Sequence, residues 1–147
     1  MPEVIGIDHI YVSVSDLTES EKFYDVVMRT LGFRKNEFQI KGERHIQYYK
    51  RHFGYVLRPA RTRRSHDSYA PGLHHLCLRV ESEEQVNAAA QRLKGQGISV
   101  TEAKRYPDYA PDYFACVLSD PDGLRLEITN YRLERRQRHD DWESFER

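Results

Sequence analysis

The chain has 147 residues, the length of one compact domain, and its 23 lysines and arginines balance 23 aspartates and glutamates. Zero net charge excludes a global field that draws in nucleic acid or an anionic membrane, and 39% apolar with 12% aromatic residues excludes a disordered chain. Cys77 and Cys116 read as buried free thiols, no run reaches membrane-spanning length, and the first residues lack a basic segment followed by a long apolar stretch, so the expectation is a soluble, cytoplasmic protein.

The first strand is predicted at "DHIYVSV" (8–14), where Ile10, Val12 and Val14 share one face and His9, Tyr11 and Ser13 the other. Asp16, with Glu19 three positions later, reads as the capping box of a helix. Its apolar stripe is Phe23, Val26, Val27 and Leu31, and Gly32 ends it. A short strand near 38–41 follows. "RHIQYYKR" and "GYVLRPA" then flank the turn His52-Phe53-Gly54, with His45, Gln47 and Tyr49 on one face. "RTRRSHDSYAPG" (61–72) is polar and turn-rich and reads as a linker. Its basic start, "RTRRS", is too short for a nucleic-acid surface.

The pattern then repeats. "HHLCLRV" (74–80) alternates like the first strand, with Leu76, Leu78 and Val80 opposing His75, Cys77 and Arg79. Ser82 with Gln85 opens a second helix, with Val86, Ala89, Ala90 and Leu93 as its stripe and Gly95 or Gly97 as its end. An interval of 66 residues separates both His9 from His75 and Asp16 from Ser82. A short strand is expected at 98–102, then the loop "RYPDYAPDY" carrying Tyr106 and Tyr109. "YFACVLS", with Tyr113, and "LRLEITN" flank the turn Asp120-Pro121-Asp122-Gly123. The chain therefore reads as an α+β fold of two βαβββ modules in a single domain (1–147). The modules are 5–60 and 73–131, joined by 61–72, and 132–147 is a charged tail. That tail is a surface helix or an arm on a partner, with Trp142 and Phe145 as its apolar contacts.

Alternation separates the two adjacent histidines. His75 holds the position equivalent to His9, while His74 falls on the helix side or at the strand edge. In the last strand Leu124, Leu126 and Ile128 oppose Arg125, Glu127 and Thr129. If these polar faces converge, His9, His75 and Glu127 form a two-histidine, one-carboxylate set. It would leave positions open on Fe2+, Mn2+, Ni2+ or Zn2+. The structural alternative is a pair of satisfied histidines, with Glu127 bound to Arg58 or Arg125. There is no glycine-rich phosphate loop, CxxC pattern or nucleophile elbow.

"IDHIYVSVSDLTESEKFYDVVMRTLGF", "GLHHLCLRV" and "SDPDGLRLEI" resemble the vicinal oxygen chelate family. This is the fold of glyoxalase I, bleomycin-resistance and fosfomycin-resistance proteins and extradiol dioxygenases. The resemblance covers about residues 5 to 131. It implies an incomplete barrel around one divalent metal, usually in a homodimer, with His9, His75 and Glu127 as ligands. Aligning Gly54 with Gly123 sets Arg58 opposite Glu127, where glyoxalase I-like members place a fourth ligand. An arginine cannot ligate a cation, so a three-ligand site is expected. Arg58 would then face an anionic or enolic substrate oxygen, or form a salt bridge. Tyr113 is a candidate donor at the metal. Tyr11, His45, Gln47, Tyr49, Tyr106 and Tyr109 are candidate substrate contacts or cavity wall. The implied functions are a metal-dependent enzyme acting on a small molecule through adjacent oxygens (dioxygenase, lyase, isomerase or transferase), a metal-free drug-sequestering protein, or a domain with a vestigial site.

Overall fold

The computed structural model describes residues 1–145. The chain divides into two compact units. One comprises Met1–Asp67 with Asp120–Gly123; the other comprises Ser68–Ser119 with the chain from Leu124 onward. Each holds one four-stranded sheet, and the element order is βαβββ twice, followed by a C-terminal helix.

The first unit contains β1 (His9–Val14), α1 (Leu17–Thr30), β2 (Arg34–Ile40), β3 (Glu43–Tyr49) and β4 (Gly54–Pro59), in sheet order β1-β4-β3-β2. β1 and β4 run parallel and the remaining pairs antiparallel. Asp16 caps α1 by accepting the Glu19 N–H at 3.1 Å. Glu19 does not complete the capping box, because its carboxylate takes Lys22 Nζ at 2.9 Å. At the other end Phe33 N–H bonds Met28 O and Gly32 N–H bonds Arg29 O. This is a Schellman ending, and it places Gly32 at φ +79°.

The stripe of α1 differs from the sequence expectation. Ser20, Tyr24, Val27 and Met28 are the buried residues, while Phe23, Val26 and Leu31 are half-buried. Counting only apolar residues misses Tyr24, whose phenol is satisfied in the interior. Its hydroxyl donates to Asp120 Oδ2 at 2.8 Å and lies 2.9 Å from the Tyr55 hydroxyl. Asp120 opens the predicted Asp-Pro-Asp-Gly turn, which belongs to this unit. Asp122 donates its N–H to Asp120 Oδ1, accepts the Ser15 N–H on Oδ2, and accepts the His66 N–H on its carbonyl.

The second unit contains β5 (His75–Val80), α2 (Glu83–Gly95), β6 (Lys104–Arg105), β7 (Phe114–Ser119) and β8 (Arg125–Asn130), in order β5-β8-β7-β6 with β5 and β8 parallel. Val86, Ala89, Ala90 and Leu93 are buried as predicted, and α2 lies against β7 and β8. Cys116, Leu118, Leu126 and Ile128 lie beneath it in the core. Ser82 accepts the Gln85 N–H at 3.3 Å, and Gln85 Oε1 accepts the Glu81 N–H. Gly97, at φ +87°, follows the helix, whereas Gly95 is its last turn.

The strand expected at 98–102 is reduced to one bridge, Val100 to Leu118. The Val117 N–H is taken by the Thr101 hydroxyl at 2.9 Å in place of a main-chain carbonyl, so the ladder does not extend there. Pairing resumes at β6. The tail forms α3 (Leu133–Asp140) and a 3-10 turn (Trp142–Ser144), while its last two residues lie outside the described residues. Arg136 fastens α3 by donating to Glu81 O at 2.8 Å and to Glu81 Oε1 at 2.6 Å. Its guanidinium also stacks 4.2 Å from the Tyr131 ring centre. Trp142 stays exposed.

Tyr24→Phe removes the donor on buried Asp120 while keeping the ring. We expect a loss of about 1–3 kcal/mol in urea unfolding at an unchanged m-value. Unchanged stability would show that the Tyr24–Asp120 bond does not hold the turn.

Candidate functional site

Ladder register fixes which side chains share the polar face of each sheet. In the first unit His9 pairs with Gly54, Gly54 with Tyr49, and Tyr49 with Arg34. The next row is Tyr11, Val56, Gln47 and Asn36, and beyond it Ser13 pairs with Arg58. In the second unit His75 pairs with Arg125, and Cys77 with Glu127. The opposite faces carry the apolar residues.

These registers correct one alignment. His9 stands beside Gly54 as His75 stands beside Arg125, so the equivalent of Glu127 on β4 is Val56, not Arg58. Matching the two turn glycines shifted the pairing by two residues, which preserves the face and hides the slip. Valine cannot ligate a metal either, so the set still lacks a fourth ligand in this position.

Glu127 is the focus of the second unit. It is only 4% exposed. Tyr113 donates its hydroxyl to Glu127 Oε1. The other oxygen, Oε2, lies 3.7 Å from His75 Nε2 and 3.7 Å from an Arg125 terminal nitrogen. Neither distance is a hydrogen bond. Arg125 Nε is itself buried without a hydrogen-bond partner. The carboxylate thus has one oxygen that accepts a hydrogen bond and one that forms a long ion pair with Arg125, with His75 Nε2 equally close.

The neighbours set the chemistry of this cluster. Burial, followed by donation to Glu127, raises the Tyr113 phenol pKa, so it remains a protonated donor at neutral pH. Burial, followed by the Glu127 charge, pushes the Cys77 thiol up to about 11. Its sulfur lies 3.8 Å from the Tyr113 hydroxyl. Tyr106 and Tyr109 stack at 5.8 Å, and Tyr109 meets Tyr113 edge-on at 5.3 Å. The Arg132 guanidinium sits 4.9 Å above the Tyr113 ring. His74 Nδ1 and His75 Nδ1 are 2.7 Å apart, a bond that aims the Nε2 of His75 toward Glu127.

In the first unit His9 Nδ1 lies 2.6 Å from Asp8 Oδ2. A carboxylate only accepts, so Nδ1 carries the proton and the neutral ring keeps its lone pair on Nε2, the arrangement of a metal-ligating histidine. His45 is different. It is 1% exposed, bonded through Nδ1 to Glu43 O, and stacked on Phe38 at 5.1 Å. That makes it wall. Tyr11 is exposed and meets both His9 and His45 edge-on. The Gln47 amide occupies the space over Gly54, 2.6 Å from where a Cβ there would stand. Tyr49 borders a cleft at the end of the sheet. Arg58 forms an ion pair with Glu43 and donates from Nε to Pro59 O.

Among the described residues no group of three His, Cys, Asp or Glu side chains is assembled to hold a metal. Within the second unit His75 Nε2 and Glu127 Oε2 lie 3.7 Å apart. An ion bound at about 2.1 Å holds adjacent donors about 3–3.5 Å apart. The His75–Glu127 pair therefore fits after closing by a few tenths of an ångström. Sequence reasoning missed Asp8, Glu43 and Arg132. Only Asp8 left a signal, as an acid directly preceding the first histidine.

Cys77 and Cys116 are both pushed up to about 11, against about 8.5 in an unfolded chain. The folded state therefore binds more protons above the unfolded value. Stability should be flat below about pH 8.5 and fall as the pH rises toward about 11. Denaturant titrations across that range check this, and a flat profile would contradict the burial of these thiols.

A family model described as the Glyoxalase/Bleomycin resistance protein/Dioxygenase superfamily matches residues 6–128. The uncharacterised protein YqjT of Bacillus subtilis (strain 168) is 31% identical over 124 residues, covering 82% of this chain and 94% of that protein. A glyoxylase/bleomycin resistance protein/dioxygenase domain from Frankia sp. EAN1pec superposes with a TM-score of 0.72 at 22% identity, covering 88% of this chain and all of that one. The fosfomycin resistance protein FosX of Listeria monocytogenes gives 0.66 at 16% identity, covering 93% and 99%. The antibiotic binding protein TnmS3 from Streptomyces sp. CB03234 gives 0.63 at 21% identity, covering 88% and 98%. A lactoylglutathione lyase from Agrobacterium tumefaciens gives 0.61 at 20% identity, covering 88% and 94%. At these identities the structures report shared fold alone. With the family model spanning both βαβββ runs and the YqjT match beside it, the chain belongs to the glyoxalase/bleomycin resistance protein/dioxygenase superfamily.

Proposed function

We propose that the chain is a metal-dependent enzyme that binds a small molecule through two adjacent oxygens. His9, His75 and Glu127 would hold one divalent ion, Fe2+, Mn2+, Ni2+ or Zn2+. The observation that carries this reading is the buried Glu127 carboxylate, whose Oε2 lies 3.7 Å from His75 Nε2 on the same face of the sheet. The bond from His9 to Asp8 adds a second support, because it leaves Nε2 free. His9 enters as the third donor through its repeat equivalence with His75.

When bound, such an ion polarises substrate oxygens and stabilises the negative charge that develops on them. The protein's own contributions are separate. Tyr113 fixes one oxygen of Glu127 and so orients the other. His74 orients the His75 ring. Tyr106 and Tyr109 offer an aromatic wall, with Tyr109 65% exposed. Arg58 could reach an anionic or enolic oxygen only by leaving Glu43. Val56 at the fourth position favours a three-ligand site over a glyoxalase I-type one. The reaction, whether oxygenation, lyase, isomerase or transferase chemistry, depends on the substrate.

The tyrosine cluster favours a second reading, metal-free sequestration of a planar molecule, as the similarity to an antibiotic binding protein suggests. A homodimer is part of either reading, supported by exposed Ile5, Ile7 and Tyr11. The free cysteines fit a cytoplasmic setting. Among the described residues no helix is long and apolar enough to cross a membrane.

Equilibrium dialysis against Mn2+, Fe2+, Ni2+ and Zn2+ tests the enzyme reading. The wild type should take up one ion per chain and melt at a higher temperature. His75→Ala should lose uptake, and His74→Ala should weaken it about tenfold through the lost orienting bond. No uptake by the wild type, or equal loss from both variants, would sink the assignment. Titrating planar aromatic compounds into the metal-stripped protein tests the second reading. Saturable binding that added metal does not change would favour sequestration.

A further inference from the structure

A second feature of the first unit has no part in the metal reading. Gly32, Arg34, Tyr49, Lys50, Arg51 and His52 line a cleft of about 540 Å3. Four of these six residues carry or can carry positive charge, and among the described residues no acidic side chain lines the cleft. Several other basic side chains of this unit are spent on carboxylates: Lys22 on Glu19, Lys35 on Glu21 and Asp25, and Arg44 on Glu21 and Glu37. Arg34, Arg51 and His52 hold no carboxylate among the described residues.

The cleft is built on a firm frame. The Lys50 N–H bonds Phe53 O at 3.0 Å, closing the turn that displays Arg51 and His52. Phe53 packs edge-on against Phe33 at 5.6 Å, tying that turn to the chain just after α1. The end of α1 brings partial negative charge to the rim, which opposes an anion. Lys50 answers it, since its ammonium donates to Gly32 O at 3.1 Å. The two arginines and His52 then remain available, and arginine presents a planar fork suited to phosphoryl oxygens.

We propose that this cleft binds the phosphoryl group of a small phosphorylated molecule. The volume exceeds what one phosphate needs and lies in the range of small-molecule sites. Tyr49 and Arg34 lie in the same cross-strand row as His9, with Tyr49 two strand spacings, about 10 Å, away from it. A ligand anchored here by its phosphoryl group would therefore lie along the polar face of the sheet. The inference rests on the first unit alone and stands or falls separately from the metal site.

The test is calorimetric titration of pyrophosphate into the chelator-treated full chain at about 20 mM ionic strength, where exposed charges are weakly screened. One saturable site per chain is expected. Arg34→Ala with Arg51→Ala should weaken it about tenfold or more. Arg92→Ala with Lys94→Ala, which removes the same charge from α2, should leave it unchanged. Both cleft arginines are exposed, so the fold should survive, and Arg51→Glu alone gives a second reading with the same direction of loss. Four results would overturn the proposal: no saturable binding, equal weakening in the α2 control, citrate binding as tightly as pyrophosphate, or a duplex oligonucleotide binding more tightly than pyrophosphate.

Discussion

A carboxylate out of reach of water needs a cation or several hydrogen bonds, because desolvation of the charge otherwise exceeds what packing returns. Glu127 meets that need only in part. Tyr113 donates to one oxygen, while the other has only a long ion pair with Arg125 and His75 Nε2 at the same 3.7 Å, neither within hydrogen-bond distance. Several polar side chains of the second unit gather around that residue. The phenol stays protonated beside it, burial and then its charge raise the Cys77 thiol pKa, and the paired histidines point one imidazole at it.

The sheet makes this arrangement possible. A parallel β5–β8 pair sets Cys77 directly beside Glu127 and His75 beside Arg125, so four polar side chains share a face while β8 packs its reverse against α2. The first unit uses the same parallel pairing with different residues. There the register delivers His9 beside Gly54, and the missing side chain leaves room for the Gln47 amide. One backbone plan thus carries a carboxylate-centred cluster in one unit and an exposed histidine with an acidic partner in the other.

Much of this was legible in the sequence, because the two strongest signals are local. Alternation assigned His75 rather than His74 to the polar face, and paired caps with closing glycines located both helices. Long-range satisfaction of polar groups was not legible. Tyr24 counts as a core residue only once Asp120, nearly a hundred residues away in the chain, is seen to receive its hydroxyl. The same limit hid Glu43 from Arg58. Register was the other weak point, since a slip of two residues keeps every side chain on its face, and only the observed β1–β4 ladder puts Val56 where Arg58 was expected.

The central claim is that Glu127 and His75 are poised for a cation rather than for each other. Diffraction from crystals grown with Mn2+, with anomalous data collected at the manganese edge, tests it most directly. The account predicts one peak within about 2.2 Å of Glu127 Oε2 and His75 Nε2, with His9 as the third protein ligand. A map without that peak, in which Arg125 has swung to bond Glu127 Oε2, would contradict it.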